Sequence, residues 1–141
     1  MSQHLVLTFL SYITTVPAPN ADGMEEAKET PYTNVSGEKT RTTNESALRY
    51  LLQELKGEPI SRIFVLASKA VRGEANRFIS AEMGGKQVTH LEYFRERMRK
   101  FIPDIDHCMP EEAVYPYDES ETVEEALRSV AKMAQGIQEV K

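Results

Sequence analysis

The sequence predicts an α/β fold: a Rossmann-like open sheet, mostly parallel, with helices on both faces and a β-hairpin insertion. Two short runs, 4–13 and 62–67, are almost continuously apolar and β-favouring. That is the pattern of strands covered on both faces of a parallel sheet. Around them lie three segments whose apolar residues recur at helical spacing. Strands alternating with such helices are joined by crossovers, which place helices against the sheet faces.

The run 4–13 reads as the first and central strand, and the run 62–67, closing on the small polar Ser68, as a second strand parallel to it. The intervening residues 14–30 include Pro17, Pro19, Asn20, Asp22 and Gly23, turn formers that predict a surface loop. In the next stretch Ser36 and Gly37 sit between arms containing Tyr32, Thr33 and Val35 on one side and Thr40 and Thr42 on the other, the economical pattern of a β-hairpin.

Three helices follow from capping chemistry. Thr42 with Glu45, Thr89 with Glu92 and Thr122 with Glu125 have the spacing in which each side chain can satisfy a free backbone N–H of the other's turn. Behind them run Leu48, Leu51, Leu52 and Leu55; then Leu91, Phe94, Met98 and Phe101; then Val123, Leu127, Val130, Met133 and Ile137. Gly57 with Pro59 stops the first helix, and Pro103 follows the second. The second helix carries Arg95, Arg97, Arg99 and Lys100 on its other side. Residues 113–117 before the last helix read as a short strand that Pro116 confines to an edge or a strand end. No strand follows the last helix, so the sheet is expected to be incomplete.

The 141 residues amount to one domain, 1–141, long enough to bury roughly 68% of the surface its unfolded chain exposes. The single cysteine, Cys108, predicts a reducing, cytoplasmic setting. No apolar stretch approaches the length of a membrane span, and the start of the chain lacks the pattern of a secretory signal. A net charge of -5 argues against direct DNA binding, which needs a broad basic surface. A small anionic ligand in a local pocket is compatible with it.

Enzyme motifs are missing: there is no phosphate-binding glycine loop, no zinc-protease motif and no serine elbow, and Gly84 with Gly85 stands between polar flanks. The three histidines, His4, His90 and His107, lie in separate segments without ligand spacing, so no metal site is expected. Cys108 beside His107 reads as structural, because adjacent side chains point apart. Asp104, Asp106, Glu111 and Glu112 read as a solvated loop. The candidate ligand-binding residues sit where open parallel sheets bind ligands, at the carboxyl ends of the strands. They are Ser11, Tyr12 and Thr14 after the first strand, Ser68 and Lys69 after the second, and Thr40, Arg41, Thr42 and Asn44 at the start of the first helix. Hydroxyls, an arginine, a lysine and a helix start suit a small phosphodiester. The bland alternative is that Thr42 and Thr43 cap a helix while Ser11 and Ser68 end strands.

Residues 7–11 as a first strand, the tyrosine-containing hairpin region, the segment 39–51, the strand 62–67 and the segment 115–119 leading into 124–134 resemble CARF domains. These are the CRISPR-associated Rossmann-fold sensors of type III accessory effectors. The resemblance implies a cytoplasmic homodimer that binds cyclic oligoadenylate across its two-fold axis, with no cofactor and no catalytic residue of its own. By position Ser11, Tyr12 and Thr14 match the loop after the family's first strand, and Thr40, Arg41, Thr42 and Asn44 its hairpin-to-helix segment. Two features of the family are missing. The later strand with its Asp-x-Thr-Gly-Gly-like turn does not occur, and Arg99 and His107, separated by seven residues, do not make the ribonuclease motif of its effectors. The alternatives are a ring nuclease using Ser11, Thr14 and Lys69 to position and stabilise the reacting phosphate, and a truncated domain with no activity of its own. An exposed apolar strip would favour the last.

Overall fold

The computed structural model describes residues 4–10, 12–30, 33, 37–42, 44–73, 76–116 and 123–139. Strand β1 (Leu5–Leu10) pairs in parallel with β4 (Arg62–Ala67), Leu5 opposite Arg62 and Leu10 opposite Ala67. Strand β4 pairs in parallel with β7 (Val114–Pro116), which gives the order β1-β4-β7. The α/β class, the open parallel sheet and the two layers of helix are therefore as the sequence predicts. Pro116 ends an edge strand, the place that its missing N–H allows.

Side chains in register on parallel neighbours share a face, so Val6 and Leu10 of β1 lie with Ile63, Val65 and Ala67 of β4. This face packs against helix α1 (Glu45–Glu54), helix α3 (His90–Arg99) and the short α4 (Ile105–Cys108), through Leu48, Phe94, Met98, Ile105 and Cys108. The short α2 (Lys69–Arg72) adds Val71. On the opposite face Phe64 and Leu66 of β4 pack under Met133 of α5 (Val123–Glu139), with Tyr115 and Ile137 alongside. Gly136 of that helix sits where an added Cβ would collide with the Tyr115 hydroxyl.

Here the expectation for β1 is corrected. It is an edge strand and not the central one, which is β4. Its second face is open: Leu5, Leu7 and Phe9 are 38%, 54% and 57% exposed, and Leu127 and Val130 of α5 are exposed as well. The reason is coverage. Helix α5 packs on β4 and β7 and leaves the side chains of the β1 strip exposed.

A second sheet, absent from the sequence reading, has the order β2-β3-β5-β6. The expected loop 14–30 contains β2 (Thr15–Pro17) and β3 (Glu25–Ala27), an antiparallel pair. Strand β3 meets β5 (Phe78–Ser80), and β5 turns through Gly84 and Gly85 into the antiparallel β6 (Lys86–Val88). Both glycines have positive φ, 71° and 82°, a backbone that side chains resist, which is why two of them stand together. Ile13, Ala27, Phe78, Val88 and Tyr93 form the core under this sheet. The expected hairpin around Ser36 and Gly37 shows one antiparallel bridge, Thr33 to Lys39, while 34–36 lie outside the described residues.

The capping boxes divide. Thr89 caps α3 as expected, its hydroxyl accepting the Glu92 N–H at 3.0 Å. Helix α1 starts instead behind Asn44, with no side-chain cap, and the Glu45 carboxylate is drawn away to Arg97. Thr122 lies outside the described residues. Among the described residues no helix is long and apolar enough to cross a membrane.

Candidate functional site at the carboxyl end of the sheet

Because β1 and β4 run in register to Leu10 and Ala67, the chain leaves both strands at the same end of the sheet. Ser11 lies outside the described residues. Tyr12 comes next, 59% exposed, and its ring stacks on the imidazole of His90 with centroids 4.2 Å apart. The following residue, Ile13, is buried, and its backbone N–H donates to His90 Nδ1 at 3.1 Å. The Thr14 carbonyl accepts the Lys28 N–H at 2.8 Å, which closes the β2–β3 hairpin over this segment.

From there an open groove of about 600 Å³ runs along Val16, Glu26, Lys28, Glu29, Thr30, Lys39 and Arg41. Three cations face two carboxylates in it. The Arg41 guanidinium is fixed by donating to the Ala27 carbonyl and by lying 3.7 Å from a Glu29 oxygen. Thr40 is fully buried, its hydroxyl 2.6 Å from that of Thr30. Thr42 is also buried, and its hydroxyl points to Glu45. The Asn44 amide donates to the Phe9 carbonyl at 2.7 Å and to the Thr8 hydroxyl.

These contacts sort the expected residues. Arg41 lines the groove with Lys28, Lys39 and Thr30, Thr14 is tied to Lys28 through its carbonyl, and Tyr12 stands two residues earlier against His90, while Thr40, Thr42 and Asn44 tie the start of α1 to β1 and to the hairpin. Ser68 begins α2 across the sheet end, its carbonyl accepting the N–H groups of Val71 and Arg72 at 3.1 Å each, and Lys69 follows it, exposed. Arg72 holds the end of β4 by donating to the Ala67 carbonyl at 3.2 Å. The positive end of α1 is already answered by Glu45, buried in its first turn, so an added phosphate there would meet a carboxylate.

Glu45 belongs to a network that sequence reasoning missed. Arg97 grips both its carboxylate oxygens at 2.8 Å and also binds Glu82. Glu82 further accepts from Lys100 at 3.0 Å and from Tyr93. Burial pushes the Glu82 carboxyl up, but these hydrogen bonds outweigh it and hold it at about 2. The arginine face of α3 is thus committed to ion pairs, Arg95 and Arg99 holding Asp106 as well. The Arg99 hydrogen bond holds the Asp106 carboxyl below its usual range.

The Cys108 thiol is buried and donates to the Ile60 carbonyl at 3.2 Å. Burial pushes it up to about 11, the opposite of an activated nucleophile. His90 was the functional candidate hardest to foresee: its contact with Ile13 spans 77 residues of sequence. Among the described residues no three metal-ligating groups converge. The chain matches no protein-family model, no curated protein and no solved structure.

Proposed function

We propose that this chain is a cyclic oligoadenylate sensor domain that works as a cytoplasmic homodimer, with the ligand lying across the two-fold at the carboxyl end of the sheet. The observation that carries the reading is an exposed aromatic residue, Tyr12, at that end of a parallel strand pair, two residues before Thr14, whose carbonyl bonds the N–H of Lys28 in a groove that also holds Arg41. Ligands of open α/β sheets occupy this place. A cyclic oligonucleotide needs both kinds of contact, a flat apolar face for the base and a local positive charge for the phosphate.

The test is thermal unfolding with cyclic tri-, tetra- and hexa-adenylate, followed by chromatography of the ligand. Preferential binding to the folded state must raise the melting temperature. A rise with one ring recovered intact supports the sensor. A rise with the ring consumed replaces it by the ring nuclease, in which Thr14 and Lys69 would stabilise the reacting phosphate. The absence of any shift overturns both. That outcome would favour the reading of a domain inactive by itself, for which the open strip of Leu5, Leu7 and Phe9 speaks.

A further inference from the structure

We propose that His90 is a positioning residue that holds Tyr12 as a stacking platform for a purine base. The inference rests on the sensor reading for the identity of the natural ligand, but the platform itself is argued from the aromatic column at the sheet end.

His90 opens α3 and is 2% exposed, with its ring between two others: Phe78 with its centroid 5.4 Å away and Tyr12 at 4.2 Å. Tyr93, its ring tilted 53° against Phe78 with centroids 5.5 Å apart, extends the aromatic cluster into the core. The imidazole therefore cannot swing without disturbing packed aromatic neighbours. Its Nδ1 accepts the Ile13 N–H, so the same ring that supports Tyr12 from beneath also fixes the backbone of the next residue. A side chain pinned at both its ring face and its adjoining backbone has lost most of its rotamer freedom before any ligand arrives, which removes part of the cost of binding.

What remains of Tyr12 is its outward side, and the residue is 59% exposed although a large aromatic gains by burial. Beside it, Thr14 is two residues on, within about 7 Å along the backbone. Thr14 is hydrogen-bonded to Lys28, which lines the groove with Arg41. Tyr12 and the groove are thus linked through Thr14 and its backbone bond to Lys28. A purine nucleotide carries both chemistries, a broad π-face for the Tyr12 ring and a phosphate for the lysines and arginine of the groove.

The experiment measures affinity for cyclic tetra- and hexa-adenylate in the intact chain and in Tyr12→Phe, Tyr12→Ala and His90→Gln, each checked for folding by circular dichroism. Glutamine keeps an acceptor for the Ile13 N–H and removes the supporting ring. Adenosine monophosphate is titrated in parallel while the Tyr12 ring signals are followed by NMR. Tyr12→Ala should weaken ring binding about 10-fold, Tyr12→Phe should restore it, and His90→Gln should lose as much as Tyr12→Ala while shifting the Tyr12 ring signals of the free protein. Equal affinity in Tyr12→Ala overturns the platform, and unchanged affinity and Tyr12 signals in folded His90→Gln overturn the role of His90. If no ring binds but adenosine monophosphate moves the Tyr12 signals, the sensor reading falls and the platform stands. If neither binds, both fall. Should His90→Gln fail to fold, the exposed Tyr12 variants still decide the platform.

Discussion

The two faces of the three-stranded sheet are built from the same strands and end very differently. On one, Val6, Leu10, Ile63, Val65 and Ala67 meet α1, α3 and α4 in a continuous core. On the other, α5 covers Phe64 and Leu66 and leaves Leu5, Leu7 and Phe9 open. The strand sequences are apolar on both sides, so the contrast comes from which helices the rest of the chain supplies. Strand pattern states what a strand can bury, and the neighbouring elements decide what it does bury.

The sharpest way to test this asymmetry is to empty a position on each side. Phe94→Ala, in the closed core, should cost about 4 kcal/mol, and Met133→Ala, in the half-covered layer, nearer 2 kcal/mol, both read from urea unfolding. Equal losses would break the comparison. Next in size, Arg97→Leu should cost about 3 kcal/mol, because it strands the Glu45 carboxylate, 1% exposed, between α1 and α3. A loss below 1 kcal/mol would mean that the network is dispensable to the closed face.

A smaller effect depends on pH. Burial lowers the His90 pKa from 6.5, and the Asn76 backbone and the Glu25 carboxylate on β3 oppose part of that. The unfolded chain then binds a proton that the folded one resists. Stability is full above the unfolded value of about 6.5 and declines as pH falls from there toward the folded value. Melting temperatures measured down through that window should drop in the native chain and drop less in His90→Phe. Last, Leu7→Ser should change stability by under about 0.5 kcal/mol, as for a surface site. A loss several times larger would show that something covers the strip in solution.

Much of the first sheet was legible because its elements are long enough to show a period. Arg62–Ala67 is six residues of apolar strand, Thr89 and Glu92 announce α3, and α5 repeats its stripe over 17 residues. The second sheet was not, since its four strands are three residues each and an alternation that short carries no signal. What holds them is the tertiary packing of Ile13, Ala27, Phe78, Val88 and Tyr93. The candidate site divides in the same way. Tyr12, Thr14 and Arg41 follow from their place at a strand end and a helix start. His90 depends on Ile13, and Glu45 on Arg97 across 52 residues, pairings that no local pattern encodes.

Gly136 sets a further condition on the half-covered face. A glycine inside a helix costs about 1 kcal/mol against alanine, yet here it is the one place on α5 that can sit over the Tyr115 hydroxyl. A slide of the helix by one turn would bring Lys132 or Met133, each with a Cβ, toward that oxygen. The glycine acts as an index mark, giving a long, regular and otherwise interchangeable apolar stripe one longitudinal setting on the sheet.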